Sequence, residues 1–194
     1  FRGGGPGSQS DGSPLEMTIF TEQQNLEAEI AMLRARSDVN EQYIFLLGNS
    51  QGGVVSALTA AAHPDWVRAM ALSSPAFSLA DDARKLFGSV DEIPEQYFHL
   101  LMNVGRNYFA RVYDFDPIDA AKSYPGDVLI FHGDRDTPVP IDYSRRAAES
   151  FPNATLQVLS GKGHMYSGEA VRQTIAAISD FFYTHLEKAA MPQS

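Results

Sequence analysis

Ser50, Asp136 and His164 are the residues of this chain whose types and surroundings could carry out nucleophilic chemistry together. Ser50 stands in Gly48-Asn49-Ser50-Gln51-Gly52, a G-x-S-x-G pentapeptide. A serine hydroxyl is a poor nucleophile without a base to take its proton. A sharp strand-to-helix turn helps by forcing a strained backbone at the serine and holding the hydroxyl out at a helix N-terminus. There the helix dipole and the free N–H groups favour negative charge. Small residues at 48 and 52 are expected to let strand and helix approach closely. The bland alternative is a Gly-rich turn with a solvated serine. The flanks favour the sharper reading: the apolar run "YIFLL" precedes the pentapeptide and the small-residue run "GVVSALTAAA" follows it.

Five histidines could serve as the base. His63 precedes Pro64 at a helix end and reads as a surface residue. His99 lies in an aromatic-rich segment and is expected to be solvated or packed there. His132 comes just before Gly133 and is expected to brace a turn rather than reach Ser50. His185 belongs to the terminal helical stretch and reads as exposed. His164, in "SGKGHMY", follows the last strand-like run, and loops at strand C-termini are where ligands bind in open α/β sheets. A carboxylate must then hold the imidazole's tautomer and stabilise its charged form. "HGDRDTPVP" offers Asp134 and Asp136. Asp136 is one step farther into the loop and is the better candidate, while Asp134 is expected to cap the turn or pair with Arg135.

These residues need elements to position them. Residues 18–36 read as a helix: Thr18 or Thr21 can cap it, Glu22 suits its first turn, and Leu26, Ile30 and Leu33 recur at helical spacing. "QYIFLLG" (42–48) reads as a strand buried on both faces. Residues 52–64 read as a helix, ending before Pro64. Further strands are expected over 67–75, 126–133 and 154–161, with helices over 140–151 and 167–189. Strands alternating with helices predict a parallel α/β sheet flanked by helices. The interval 76–125 breaks this rhythm, is long for one connection, and is rich in Phe and Tyr. It reads as an inserted cap or lid with a few helices, dividing a core made of 1–75 and 126–194; the alternative is a larger helical crossover.

The order Ser50, Asp136, His164 is that of an α/β-hydrolase triad and differs from the two unrelated serine protease orders. The chain resembles the α/β-hydrolases throughout, above all the bacterial feruloyl and cinnamoyl esterases, relatives of the serine aminopeptidase and monoglyceride lipase group. "GNSQGGVV" resembles that family's G-H-S-Q-G-G-V-V, with Asn49 in place of histidine. "HGDRDTPVP" resembles H-G-x-x-D-x-x-V, which supports Asp136, and "GKGHMY" resembles its G-x-x-H loop. "FRGGG", followed by "SDG" and "MT", resembles F-R-G-H-G-x-S-D-G with a later M-T, Gly4 replacing the histidine. "DEIP" and "GRNYF" resemble the cinnamoyl esterase insertion. The resemblance implies catalytic Ser50, Asp136 and His164, with the backbone N–H of Gln51 as oxyanion donor. It also implies that Tyr108 contacts a substrate's phenolic hydroxyl; cap packing is the competing role. Dehalogenase and epoxide hydrolase relatives use an aspartate where Ser50 stands.

The implied function is a serine carboxylic ester hydrolase working through an acyl-enzyme on hydroxycinnamate esters. A monoglyceride lipase or aminopeptidase-like hydrolase, and a silent binding module, are the alternatives. The expected partner is a small-molecule ester, and no metal or organic cofactor is implied. Relative to the family the resemblance begins inside the fold. The first strands and the second oxyanion donor are expected to lie in an upstream segment or a missing half; a swapped dimer is the other possibility. The strand over 42–48 would then have a bare, apolar edge.

Composition agrees with a globular domain. The chain has 194 residues, 44% hydrophobic and 20% charged, enough for a sizeable core. Its net charge of -9 argues against a nucleic-acid footprint. There is no cysteine, which excludes disulfides and Cys-based zinc sites and is compatible with the cytoplasm. No stretch is long and apolar enough for a membrane span.

Overall fold

The computed structural model describes residues 9–190, so the "FRGGG" stretch and Gly4 lie outside the described residues. Among the described residues four strands form one parallel sheet: β1 (Phe45–Asn49), β2 (Ala69–Ser73), β5 (Asp127–Gly133) and β6 (Ala154–Leu159), in the order β1-β2-β5-β6. Among the described residues seven α-helices accompany them: α1 (Ile19–Arg34), α2 (Gln51–Ala62), α3 (Leu79–Leu86), α4 (Arg106–Ala110), α5 (Pro117–Ala121), α6 (Asp142–Ser150) and α7 (Glu169–Ala190). A separate hairpin joins β3 (Gln96–His99) to β4 (Met102–Gly105). This is the α/β architecture expected, with helices on both faces of a parallel sheet.

The two faces follow the strand period of two. Met70, Leu72, Val128 and Ile130 join the larger core with Ile19 and Ile30 of α1 and Val54 of α2. Ala71, Leu129 and Phe131 point the other way and meet Ile178 of α7. Central strands covered on both faces become continuous apolar runs, as "AMALS" and "VLIF" are.

β1 departs from that pattern. Leu46 and Gly48 are buried on the α2 side, but Leu47 is 61% exposed on the other. The expected burial on both faces therefore fails here. The physical reason is where α7 lies: its apolar stripe crosses β2 and β5 and touches β1 through the Phe45–Phe182 ring contact. Among the described residues β1 pairs only with β2.

α1 begins as its sequence requires. Thr18 Oγ1 accepts from the Thr21 N–H at 3.1 Å, and Thr21 Oγ1 accepts from the Thr18 N–H at 2.9 Å, a reciprocal capping box. The interval 76–125 contains α3, α4 and α5, but also the β3–β4 hairpin, which periodicity did not predict. Its two-residue turn is Leu100-Leu101, with φ of 45° and 72°. Two positive φ values in a hairpin turn ordinarily call for Asn-Gly or Asp-Gly, so a Leu pair carries no turn signal. Gly105 closes the hairpin against the chain start: a Cβ there would lie 2.0 Å from the Leu15 carbonyl oxygen.

His185 corrects another expectation. It is buried on α7, with Nε2 2.6 Å from Asp127 Oδ2 and Nδ1 2.7 Å from the Phe181 carbonyl oxygen. A polar residue in the terminal helix turned inward because the first residue of β5 supplies a carboxylate to receive it.

Candidate active site

Ser50 occupies the step between β1 and α2 with φ 52° and ψ −121°, a conformation that non-glycine residues adopt only under constraint. The constraint is backbone pairing with the end of β2. The Ser50 N–H donates to the Ser73 carbonyl at 2.9 Å, and the Ser50 carbonyl accepts from the Ala76 N–H at 3.0 Å. The close approach that makes the turn possible falls at Gly48 and Gly53. A Cβ on Gly48 would lie 2.5 Å from the Gly52 carbonyl oxygen, and one on Gly53 would lie 2.9 Å from Pro75 Cβ. A Cβ on Gly52 would meet nothing within 4 Å. The expectation of tight packing therefore holds at 48, fails at 52, and belongs instead to 53.

The structure brings the three predicted residues together. Ser50 Oγ donates to His164 Nε2 at 3.0 Å, and His164 Nδ1 donates to Asp136 Oδ2 at 2.8 Å. The Asp136 side chain is fully buried, and its Oδ1 accepts from the Val139 N–H at 2.9 Å. The distance between Asp136 and His164 is set by loop-to-loop pairing. The Arg135 N–H donates to the Lys162 carbonyl at 2.8 Å, and Asp134 Oδ1 accepts from the Gly161 N–H at 2.6 Å. A Cβ on Gly133 would lie 2.2 Å from the Lys162 carbonyl oxygen, so glycine is required where the loops meet. Asp134 is expected from sequence to cap its own turn or pair with Arg135; its carboxylate instead joins that turn to the histidine loop, where the Gly161 N–H meets it.

The other histidines take other roles. His63 stacks on Trp66, and His99 packs against Tyr108 and Phe109. His132 braces its turn: Nε2 donates to the Val139 carbonyl at 2.9 Å, and Nδ1 takes a hydrogen bond from Ser144 Oγ at 2.7 Å. Burial pushes its pKa below the ordinary 6.5, favouring the neutral ring with the proton on Nε2. That same Nε2 lies 3.1 Å from Asp136 Oδ2, so two imidazoles face one carboxylate oxygen. Sequence reasoning gave His132 no part in the site, although its spacing of four residues from Asp136 in "HGDRD" was visible.

Gln51, the residue after the nucleophile, opens α2, where first-turn N–H groups have no partner within the helix. Its side chain is held on both sides. Nε2 donates to Glu22 Oε2 at 2.6 Å, and Oε1 accepts from the Tyr108 hydroxyl at 2.5 Å. Tyr108 is only 4% exposed, so its hydroxyl is turned into the protein rather than toward solvent. Burial raises its pKa, as it raises that of Glu22. Sequence reasoning gives neither Glu22 nor the Gln51 side chain a part in the site, because nothing in their spacing links α1, α2 and α4.

Nearby, Asn49 Nδ2 donates to the Ser73 carbonyl at 3.3 Å, and Ser73 Oγ pairs with the Tyr166 hydroxyl at 2.9 Å. A cavity of 320 Å³ borders His164 between β1 and α7, lined by Leu47, Asn49, Ser73, Met165, Tyr166 and Ile175 among others. Among the described residues no group of three His, Asp or Glu side chains is arranged to hold a metal ion.

The family model described as serine aminopeptidase, S33, matches residues 9–114, which include Ser50. A structure of ferulic acid bound to Est1E from Butyrivibrio proteoclasticus is similar at 27% identity and a TM-score of 0.83, covering 93% of this chain and 74% of that one. Est1E alone is similar at 26% identity and a TM-score of 0.78, covering 88% and 72%. A monoacylglycerol lipase from Paleococcus ferrophilus shares the fold at 18% identity and a TM-score of 0.69, covering 91% and 79%. No curated protein matches the chain in sequence.

Proposed function

The chain is an α/β-hydrolase belonging to the serine aminopeptidase S33 family, and from that premise we propose that it hydrolyses carboxylic esters through an acyl-enzyme on Ser50. The observation that carries this reading is the unbroken hydrogen-bonded chain from Ser50 Oγ through His164 to the buried carboxylate of Asp136. His164 Nε2 takes the serine proton as Oγ attacks the ester carbonyl. Asp136 holds Nδ1–H and stabilises the imidazolium that forms. The oxyanion is met by the Gln51 backbone N–H, and a donor of this kind is worth about 10²–10³ in rate. Collapse expels the alcohol, which His164 protonates. Water, deprotonated by the same ring, then releases the acid.

We assign hydroxycinnamate esters as the substrate class. The support is the likeness to Est1E with ferulic acid. The family's description favours a second reading, cleavage of an aminoacyl amide. A fluorophosphonate probe is expected to label Ser50 and to spare a Ser50→Ala variant; absence of labelling of the folded protein would refute the nucleophile. Turnover of methyl ferulate, a monoglyceride and an aminoacyl amide under identical conditions then ranks the substrates, with methyl ferulate expected to lead.

A further inference from the structure

We propose that Glu22 and Tyr108 are positioning residues for the reaction, gripping the Gln51 side chain from opposite ends so that its backbone N–H is fixed toward the developing oxyanion. The inference rests on the acyl-enzyme reading above.

Donor and acceptor chemistry gives the grip its polarity. A carboxylate can only accept, so the amide nitrogen faces Glu22, and the amide oxygen is left for the tyrosine O–H. The raised pKa of Tyr108 keeps its hydroxyl protonated and donating. Either protonation state of Glu22 retains a carboxyl oxygen that accepts.

Each gripping residue is itself anchored. Glu22 sits in the first turn of α1, directly behind the Thr18–Thr21 capping box. Tyr108 packs against His99 and Phe109, and Phe109 in turn meets Phe87 and Tyr97. Gln51 follows a serine held at φ 52°, where small changes in backbone angle re-aim the next N–H. Oxyanion donors act because they are fixed before the charge develops, and a misplacement of about 1 Å costs up to 10²-fold. A glutamine tied to α1 on one side and α4 on the other supplies that fixity without touching substrate. It also joins the aromatic cap to the reacting centre.

The test uses 4-nitrophenyl butyrate, an ester whose acyl group carries no phenol, so that direct recognition by Tyr108 cannot account for a loss. Glu22→Ala and Tyr108→Phe are each expected to lower kcat about tenfold with KM within about twofold, short of the ~10²–10³ for losing the donor outright. Glu22→Gln preserves an acceptor and is expected to restore kcat. In a Gln51→Ala background, which has nothing left to grip, Glu22→Ala and Tyr108→Phe are expected to add no further loss. Melting temperatures, measured alongside, separate these effects from unfolding, and Tyr108→Phe keeps the ring packing intact. Unchanged kcat in both single variants, losses confined to KM, or full losses repeated in the Gln51→Ala background would overturn the proposal. Turnover surviving in Ser50→Ala would instead strike the acyl-enzyme reading itself.

Discussion

Asp136 is held from three directions: the Val139 N–H reaches Oδ1, while His164 and His132 both face Oδ2. Its charge and its acceptor geometry are therefore separable from its size. Asp136→Asn keeps the volume but turns a donor toward His164 Nδ1, which favours the wrong tautomer for taking the Ser50 proton. A loss in kcat on the order of 10⁴ is expected, with the circular dichroism spectrum unchanged. His132 bears on stability. Its folded pKa is depressed by burial, so between that value and the ordinary 6.5 the unfolded chain binds more protons than the folded one. The contribution of neutral His132 is thus fully present above pH 6.5 and declines as pH falls through the depressed value. Urea midpoints taken from pH 7.5 down to 5 are expected to fall for the native chain and to fall less steeply for His132→Asn. Parallel slopes for the two would contradict the assignment.

At the scale of elements, the elbow depends on which glycine meets which neighbour. Gly53 faces Pro75 at a distance no Cβ tolerates, while Gly52 faces open space. Gly53→Ala is expected to destabilise by about 1–3 kcal/mol through overpacking. Gly52→Ala is expected to be neutral or to gain up to about 1 kcal/mol from helix propensity. Denaturant midpoints distinguish the two, and an equal loss at both positions would show that spacing in the pentapeptide matters rather than contact. The β3–β4 hairpin teaches a related lesson. A turn built from Leu100 and Leu101 is held by the strands and the Phe87–Tyr97–Phe109 packing around them, because its own residues disfavour it.

At the scale of the molecule, the sheet has one well-covered interior and one open flank. Leu47, Met165 and Ile175 are exposed together around the cavity between β1 and α7, and β1 has an unpaired edge among the described residues. Exposed apolar strands with free edges pair with other chains. The net charge of -9 opposes association but acts at long range and is screened by salt. The chain is expected to self-associate increasingly as salt is raised, and Leu47→Glu is expected to reduce this. Light scattering coupled to size exclusion measures both; a monomer indifferent to salt and to the substitution would contradict it. No helix among the described residues is long and apolar enough to cross a membrane.

Periodicity and punctuation alone specify the parallel sheet, the capped α1, the elbow, and the order in which serine, aspartate and histidine follow their strands. These are properties of short windows: a strand's apolar run, a glycine that permits a turn, a threonine that caps a helix. What only the folded chain decided are meetings between windows. Gln51 is gripped by Glu22 and Tyr108, 29 and 57 residues away, and His185 is buried on Asp127 at a separation of 58. His132 turned toward the aspartate, Gly53 rather than Gly52 carries the close contact, and Leu47 stayed open because α7 crosses its neighbours instead. Each is set by how elements pack, and packing is a property of pairs of surfaces that no single stretch of residues contains.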